Sequence, residues 1–237
     1  KKLIISNATN KKNTFINSED VEIKLSIKNL LAKDKHKYKK IKFSNYEIKI
    51  NLKKLKDYKK NKNTIPLSFS KGSILFFSGK NYVATINNAF FNLDFNKENL
   101  ESELKGNFLN DNININFKRE NIDNKKSSNF VLRMSKLKFI TKINIPDLKK
   151  DKFEGNILIK KDKNKIAGIF IYKDGKLIIN KSNLRNSFID GKLEGKIELL
   201  PYFDFDLDIN LNSINFTKLY NYFLSLDAEG KKKLFKI

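Results

Sequence analysis

Apolar and polar residues alternate at a period of two along most of this chain, and that period limits the fold more than any other feature. In "DVEIKLSIKNL", Val21, Ile23, Leu25 and Ile27 share one face while Glu22, Lys24, Ser26 and Lys28 share the other. The pattern returns in "YEIKINL", "IPLSF", "NININF", "FVLRM", "GNILIKK", "KLEGKIEL" and "FDFDLDINL". One wet and one dry face per strand is the signature of antiparallel pairing, since doubly buried parallel strands read as continuous apolar runs. Asp174-Gly175 in "YKDGKL" marks a two-residue hairpin, because a type I′ turn needs positive φ at both central residues. "LNDNIN", Leu109 to Asn114, supplies a second turn, and Pro201 marks a corner before the last strand. The reading is a mostly β protein: a mostly antiparallel, curled and elongated sheet, a β-groove or half-barrel, forming one domain over 1–237 with a possible subdivision near 53–64.

What covers the dry face is the next question. Only "NFTKLYNYFLSL" has a helical period, with Leu219, Tyr222, Phe223 and Leu226 at i, i+3, i+4, i+7 and Thr217 as the candidate N-cap. One short helix near the C-terminus can plug an end of a sheet, not cover it. The cover is therefore another sheet, as in a sandwich or closed barrel acting as a structural or adhesion module, or a bound ligand. "LKGNF", "FEGNI" and "LEGKI" form a weak repeat, apolar-x-Gly-x-apolar, spaced by roughly 40 to 50 residues as in repeated supersecondary units. A glycine inside a strand marks a bulge or bend that lets a sheet curl.

Composition narrows the function. The 237 residues carry a formal charge of +23, which by itself suggests an anionic partner. The positive charge is nearly all lysine, only Arg119, Arg133 and Arg185 being arginines, and Lys, Asn and Ile share A/T-rich codons. Part of the basicity is then compositional. Exposed aromatics do not interleave the lysines as base stacking requires, so nucleic acid is not expected. The runs Lys33–Lys40 and Lys53–Asn63 read as charged hairpin tips, or as contacts with an anionic membrane surface. With no cysteine, thiolate metal sites and disulfides are excluded, and His36 stands in a polar run with nothing to bury it. Asp204, Asp206 and Asp208 share one strand face without the Gly turn and distant Glu of a calcium loop, and read as solvated. No pair of carboxylates is set in an apolar pocket for acid/base work, so no enzyme, cofactor or metal is expected. No apolar run reaches the ~18 residues of a membrane span. A start at Lys1 and the ending "GKKKLFKI" suggest a fragment of a longer protein.

Long alternating strands with Leu-x-Gly-x-Ile steps, followed by "FDFDLDINLNSINFTKLYNYF", resemble the AsmA-like family of bacterial envelope proteins and its TamB-like relatives. The similarity is greatest from about Phe153 to Phe223; earlier residues agree in texture. The resemblance implies a periplasmic protein tethered to the inner membrane by a segment outside this sequence. It also implies that the curled sheet holds phospholipid acyl chains in an apolar groove, without catalysis, for lipid transport between inner and outer membrane. The dry-face residues expected to line such a groove are Ile113, Ile115, Phe117, Ile157, Ile159, Phe203, Phe205, Leu207 and Ile209.

Overall fold

The computed structural model describes residues 3–7, 10–25, 38–54, 65–96, 99–122, 125–148, 152–198 and 204–224. Strand accounts for 81% of the described residues, and the sheet is not closed into a barrel. Two compact units divide the chain, 1–137 and 138–237.

The first unit holds β1 (Leu3–Asn7), β2 (Asn10–Leu25), β3 (Tyr38–Asn51), β4 (Leu67–Ser78), β5 (Asn81–Asn96), β6 (Asn99–Phe108), β7 (Asp111–Ile122) and β8 (Lys125–Met134), paired in sequence order. All neighbours are antiparallel except β3 and β4, which run parallel. Parallel neighbours need a crossover of about a dozen residues or more, here 52–66. The lysine run at 53–63 therefore belongs to a crossover and not to a hairpin tip. Of the run itself only Lys53 and Lys54, in the 3₁₀ turn Leu52–Lys54, are described; most of the run at 33–40, His36 included, lies outside the described residues.

Strand register sorts the side chains into rows. Val21, Phe43, Phe69, Phe91, Leu104, Ile115 and Leu132 stand opposite one another from β2 to β8. A second row is Ile16, Ile48, Ile74 and Ile86. Between these rows, three adjacent strands carry a residue in the left-handed region: Asn45 (φ 49), Lys71 (φ 56) and Asn88 (φ 48). Each coincides with a flip in the alternation, and at Lys71 and Asn88 the ladder register shifts as in a bulge. The Tyr46 ring lies over Gly72, where a Cβ would collide with the Tyr46 carbonyl and ring, and its hydroxyl donates to the Ala89 carbonyl at 3.0 Å. Burial raises the Tyr46 pKa above its ordinary value. Phe69 stacks on Phe43 at 4.5 Å and is 2% exposed. Among the described residues, the extensive contacts between strands of this unit are all between sheet neighbours, so this burial comes from a single bent layer. A sandwich or barrel does not form within it.

The second unit holds β9 (Phe139–Ile145), β10 (Lys152–Lys161), β11 (Asn164–Lys173), β12 (Lys176–Arg185), β13 (Ile189–Glu198) and β14 (Asp204–Ile214), antiparallel and in sequence order, followed by helix α1 over 216–224. Asp174 (φ 53) and Gly175 (φ 84) form the expected hairpin turn. In the first unit the expected turn falls on Leu109 (φ 49) and Asn110 (φ 63), the first two residues of "LNDNIN". Asp111, freed from the turn, is buried and accepts from the Lys136 and Leu137 amides at 2.8 and 3.0 Å. Helix α1 is capped by Asn215, whose Oδ1 accepts from the Lys218 amide at 3.0 Å, not by Thr217. Asparagine at this position satisfies the third amide of the helix, which moves the start two residues earlier. Tyr222 meets Phe188 at 5.2 Å, yet Tyr222 and Phe223 are 45% and 59% exposed, so the apolar stripe of α1 is mostly wet.

Tyr46→Phe leaves the buried Ala89 carbonyl without its donor and is expected to lower unfolding free energy by about 1–3 kcal/mol in urea titrations. Gly72→Ala is expected to cost at least as much, because the added methyl meets backbone. For Asp111, burial opposes ionisation, but the amides of Lys136, Leu137 and Asn112 and the Lys136 charge outweigh it and hold the carboxyl below its ordinary value. A lowered folded pKa contributes stability that is present above the unfolded value and lost as pH falls through the folded one. The melting-temperature gap between the parent and Asp111→Asn should be full near neutrality, narrow below about pH 4 and close below the folded pKa.

Candidate functional site

Of the nine dry-face residues expected to line a groove, Ile113, Ile115 and Phe117 alternate on β7 in the first unit. Their cross-strand partners are Gly106, Leu104 and Ser102 on β6 and Met134, Leu132 and Phe130 on β8. Ile113 is 5% exposed and belongs to the core cluster, while Ile115 and Phe117 are partly buried. Ile157, Phe205, Leu207 and Ile209 share one face of the second unit through three rows, and Ile159 stands on it in a fourth, Thr141, Ile159, Ile166, Leu184, Gly191 and Leu211. The first is Ile143, Ile157, Gly168, Ser182, Leu193 and Ile209. The second runs Gly155, Phe170, Ile179, Gly195 and Leu207, and the third Phe153, Tyr172, Leu177, Ile197 and Phe205. Phe203 lies outside the described residues.

The three glycines of the weak repeat have a steric reason. A Cβ on Gly106 would meet Ile86 at 2.6 Å, and one on Gly155 the Phe170 ring at 2.7 Å. On Gly195 (φ 138) it would collide with the Asp206 carbonyl. Gly155 thus marks a place where a ring closes over the dry face, whereas Gly106 faces a bulge of β5, the β5–β6 register shifting between Asn87 and Phe90. Another bulge occurs in β12, where register shifts against both β11 and β13 and the Ser182 hydroxyl accepts from the Leu193 amide at 2.6 Å.

The two units differ in how dry their apolar face is. In the first, the row through Phe69 is closed in by its neighbours. In the second, Phe205, Ile209 and Leu211 of β14 are 60%, 56% and 44% exposed, on the face where Phe170 and Ile179 are buried. Alternation found Ile113, Ile115 and Phe117 but missed Phe43 and Ala89 as members of one face. The signal was available only as Asn45 and Asn88, the positions at which the period slips.

The opposite face is polar. Asp204, Asp206 and Asp208 are exposed and stand opposite Glu198, Lys196 and Glu194. An open hollow of about 440 Å³ on the first unit is lined mainly by Asn92, Asp94, Glu101, Glu103, Asn116 and Lys118. Lys118 is held above its ordinary pKa by its hydrogen bond and 2.7 Å ion pair with Glu120, and by Glu101. No group of three or more His, Cys, Asp or Glu side chains among the described residues is placed to hold a metal ion. No helix among the described residues is long and apolar enough to cross a membrane.

No family model, curated protein or solved structure matches this chain.

Truncation should separate folding residues from surface ones. Phe69→Ala removes a fully enclosed ring and is expected to cost about 3–5 kcal/mol. Ile209→Ala, on an exposed position, should stay within about 0.5 kcal/mol. Urea unfolding of both variants beside the parent checks the contrast.

Proposed function

We propose that this chain is a non-catalytic lipid-binding segment whose dry β-faces take the acyl chains of phospholipid. In this reading it is part of a periplasmic AsmA-like or TamB-like protein tethered to the inner membrane, which carries lipid between the inner and outer membranes. The observation that carries the reading is an uninterrupted apolar row on an unclosed sheet, Val21 to Leu132 across seven strands. At about 4.8 Å between strands such a row spans about 29 Å. That is comparable to the roughly 30 Å hydrocarbon thickness of a bilayer.

The energetics favour the same occupant. Each methylene moved from water onto an apolar face contributes about 0.8 kcal/mol, so a bound chain supplies the layer that neither unit builds from protein among the described residues. The exposed Phe205, Ile209 and Leu211 give an entrant an apolar surface to meet without unfolding the sheet. An anionic headgroup left in water would face a strongly basic chain.

The test is mass spectrometry of organic extracts from the purified protein and from a variant with Phe205, Ile209 and Leu211 changed to Ser. Stoichiometric phospholipid on the parent, reduced several-fold on a variant that keeps its β circular dichroism, is the expected result. A lipid-free parent would overturn the proposal.

A further inference from the structure

We propose that Arg119, Ser128 and Lys126, at one end of the dry face of the first unit, form a binding corner for a phosphate-type anion. This inference rests on the lipid reading above and assigns the corner to the headgroup.

The β7–β8 register places the corner. Reading outward, the facing pairs on the dry side are Ile115 with Leu132, Phe117 with Phe130, Arg119 with Ser128, and Asn121 with Lys126. Polarity thus changes from apolar to cationic within one two-residue step of about 7 Å. Arg119 is partly buried, and its guanidinium sits over the Phe117 ring at 5.5 Å. Its Nε is buried without a hydrogen-bond partner, and so is the hydroxyl of Ser128, which is 4% exposed. Two unpartnered polar groups facing each other across a ladder are costly in isolation and are normally satisfied.

One oxyanion satisfies both. The guanidinium edge formed by Nε and a terminal nitrogen donates in the fork that matches phosphate, and the serine hydroxyl donates beside it. Lys126, exposed at the rim, adds charge without desolvation. The other arginines are placed differently: Arg185 is paired with Asp190 at 2.9 Å, and Arg133 is exposed. No carboxylate among the described residues is paired with Arg119. Length also fits, since Arg119 to Ile113 is six residues, about 20 Å of strand, against about 15 Å for one leaflet of hydrocarbon. A headgroup at the corner leaves its chain on Phe117, Ile115 and Ile113.

Calorimetric titration with three probes tests this: dihexanoyl phosphatidic acid, dihexanoylglycerol and inorganic phosphate. The parent should bind the phosphatidic acid at least tenfold tighter than the glycerol. Arg119→Gln should abolish that gap while keeping dihexanoylglycerol affinity, and Arg119→Lys, which keeps charge but loses the fork, should fall between. If Arg119→Gln misfolds, Ser128→Ala carries the same comparison. Equal binding of the two lipids by the parent, or a gap that survives Arg119→Gln, overturns the corner while leaving the lipid reading intact. Phosphate binding that depends on Arg119, with no affinity for dihexanoylglycerol, keeps the anion corner and overturns the lipid reading. No binding of any probe overturns both.

Discussion

Tyr46 ties three strands together: it sits in β3, lays its ring over Gly72 of β4, and hydrogen-bonds the Ala89 carbonyl of β5. The arrangement depends on the three positive-φ residues, since Asn45, Lys71 and Asn88 bring Tyr46, Gly72 and Ala89 onto the same face at the same level. Bending at that level is what allows a single layer to bury a phenylalanine row. A flat sheet would leave Phe43, Phe69 and Phe91 with neighbours only on either side and water above. The stacked rings at 4.5 and 5.8 Å show the row closing on itself instead. Each side chain so enclosed contributes roughly 1.5–3 kcal/mol, so the bend at this level lets a single layer gain stability that a flat sheet would forgo.

The second unit meets the same constraint by a different device. Glycines at 155, 168, 191 and 195 stand on its dry face where neighbouring backbone or rings approach too closely for a methyl. Removing side chains brings strands and rings together but leaves less apolar volume to enclose, and the last strand shows the result in its exposed Phe205, Ile209 and Leu211. On the wet faces of both units, lysines pair with carboxylates at exposed positions, such as Lys176 with Glu198 at 2.5 Å. Exposed pairs of this kind contribute little to stability. The charge therefore governs what the surface attracts more than how the chain folds.

Most of the architecture was legible because a period of two has one meaning over so many segments. Strands β7, β8 and β10 keep the alternation without slipping, and β14 keeps it as far as Leu211, beyond which its register against β13 shifts; over those spans the dry residues fall where the period puts them. Failures came where one residue changes the phase. Asn45, Lys71 and Asn88 look like ordinary polar positions, and nothing local says that they take positive φ. The parallel pair β3–β4 was hidden because both strands show one wet face, as antiparallel strands do, and because the crossover has the composition of a hairpin tip. Asn215 and Thr217 are both good N-caps, and the choice depended on which one could reach the Lys218 amide. For the candidate site, facing direction was readable and enclosure was not: Ile113 and Phe205 have the same pattern in sequence, yet one is 5% and the other 60% exposed.

That last difference bears on the kind of site the dry face makes. A residue enclosed by its own sheet has already collected its hydrophobic stabilisation, and a ligand adds little there. An exposed apolar residue beside an enclosed one still has that stabilisation to gain, so the surface an apolar ligand would gain most from covering lies at the margins of the enclosed rows. Under the lipid reading the margins are β14 in the second unit and the step from Phe117 to Arg119 in the first. Their chemistry differs accordingly: β14 offers only apolar contact and discriminates by length and shape, whereas the Arg119 margin adds a fork of donors that discriminates by headgroup. Contact with acyl chains and choice among lipids are then separate properties, carried by separate residues of one alternating pattern.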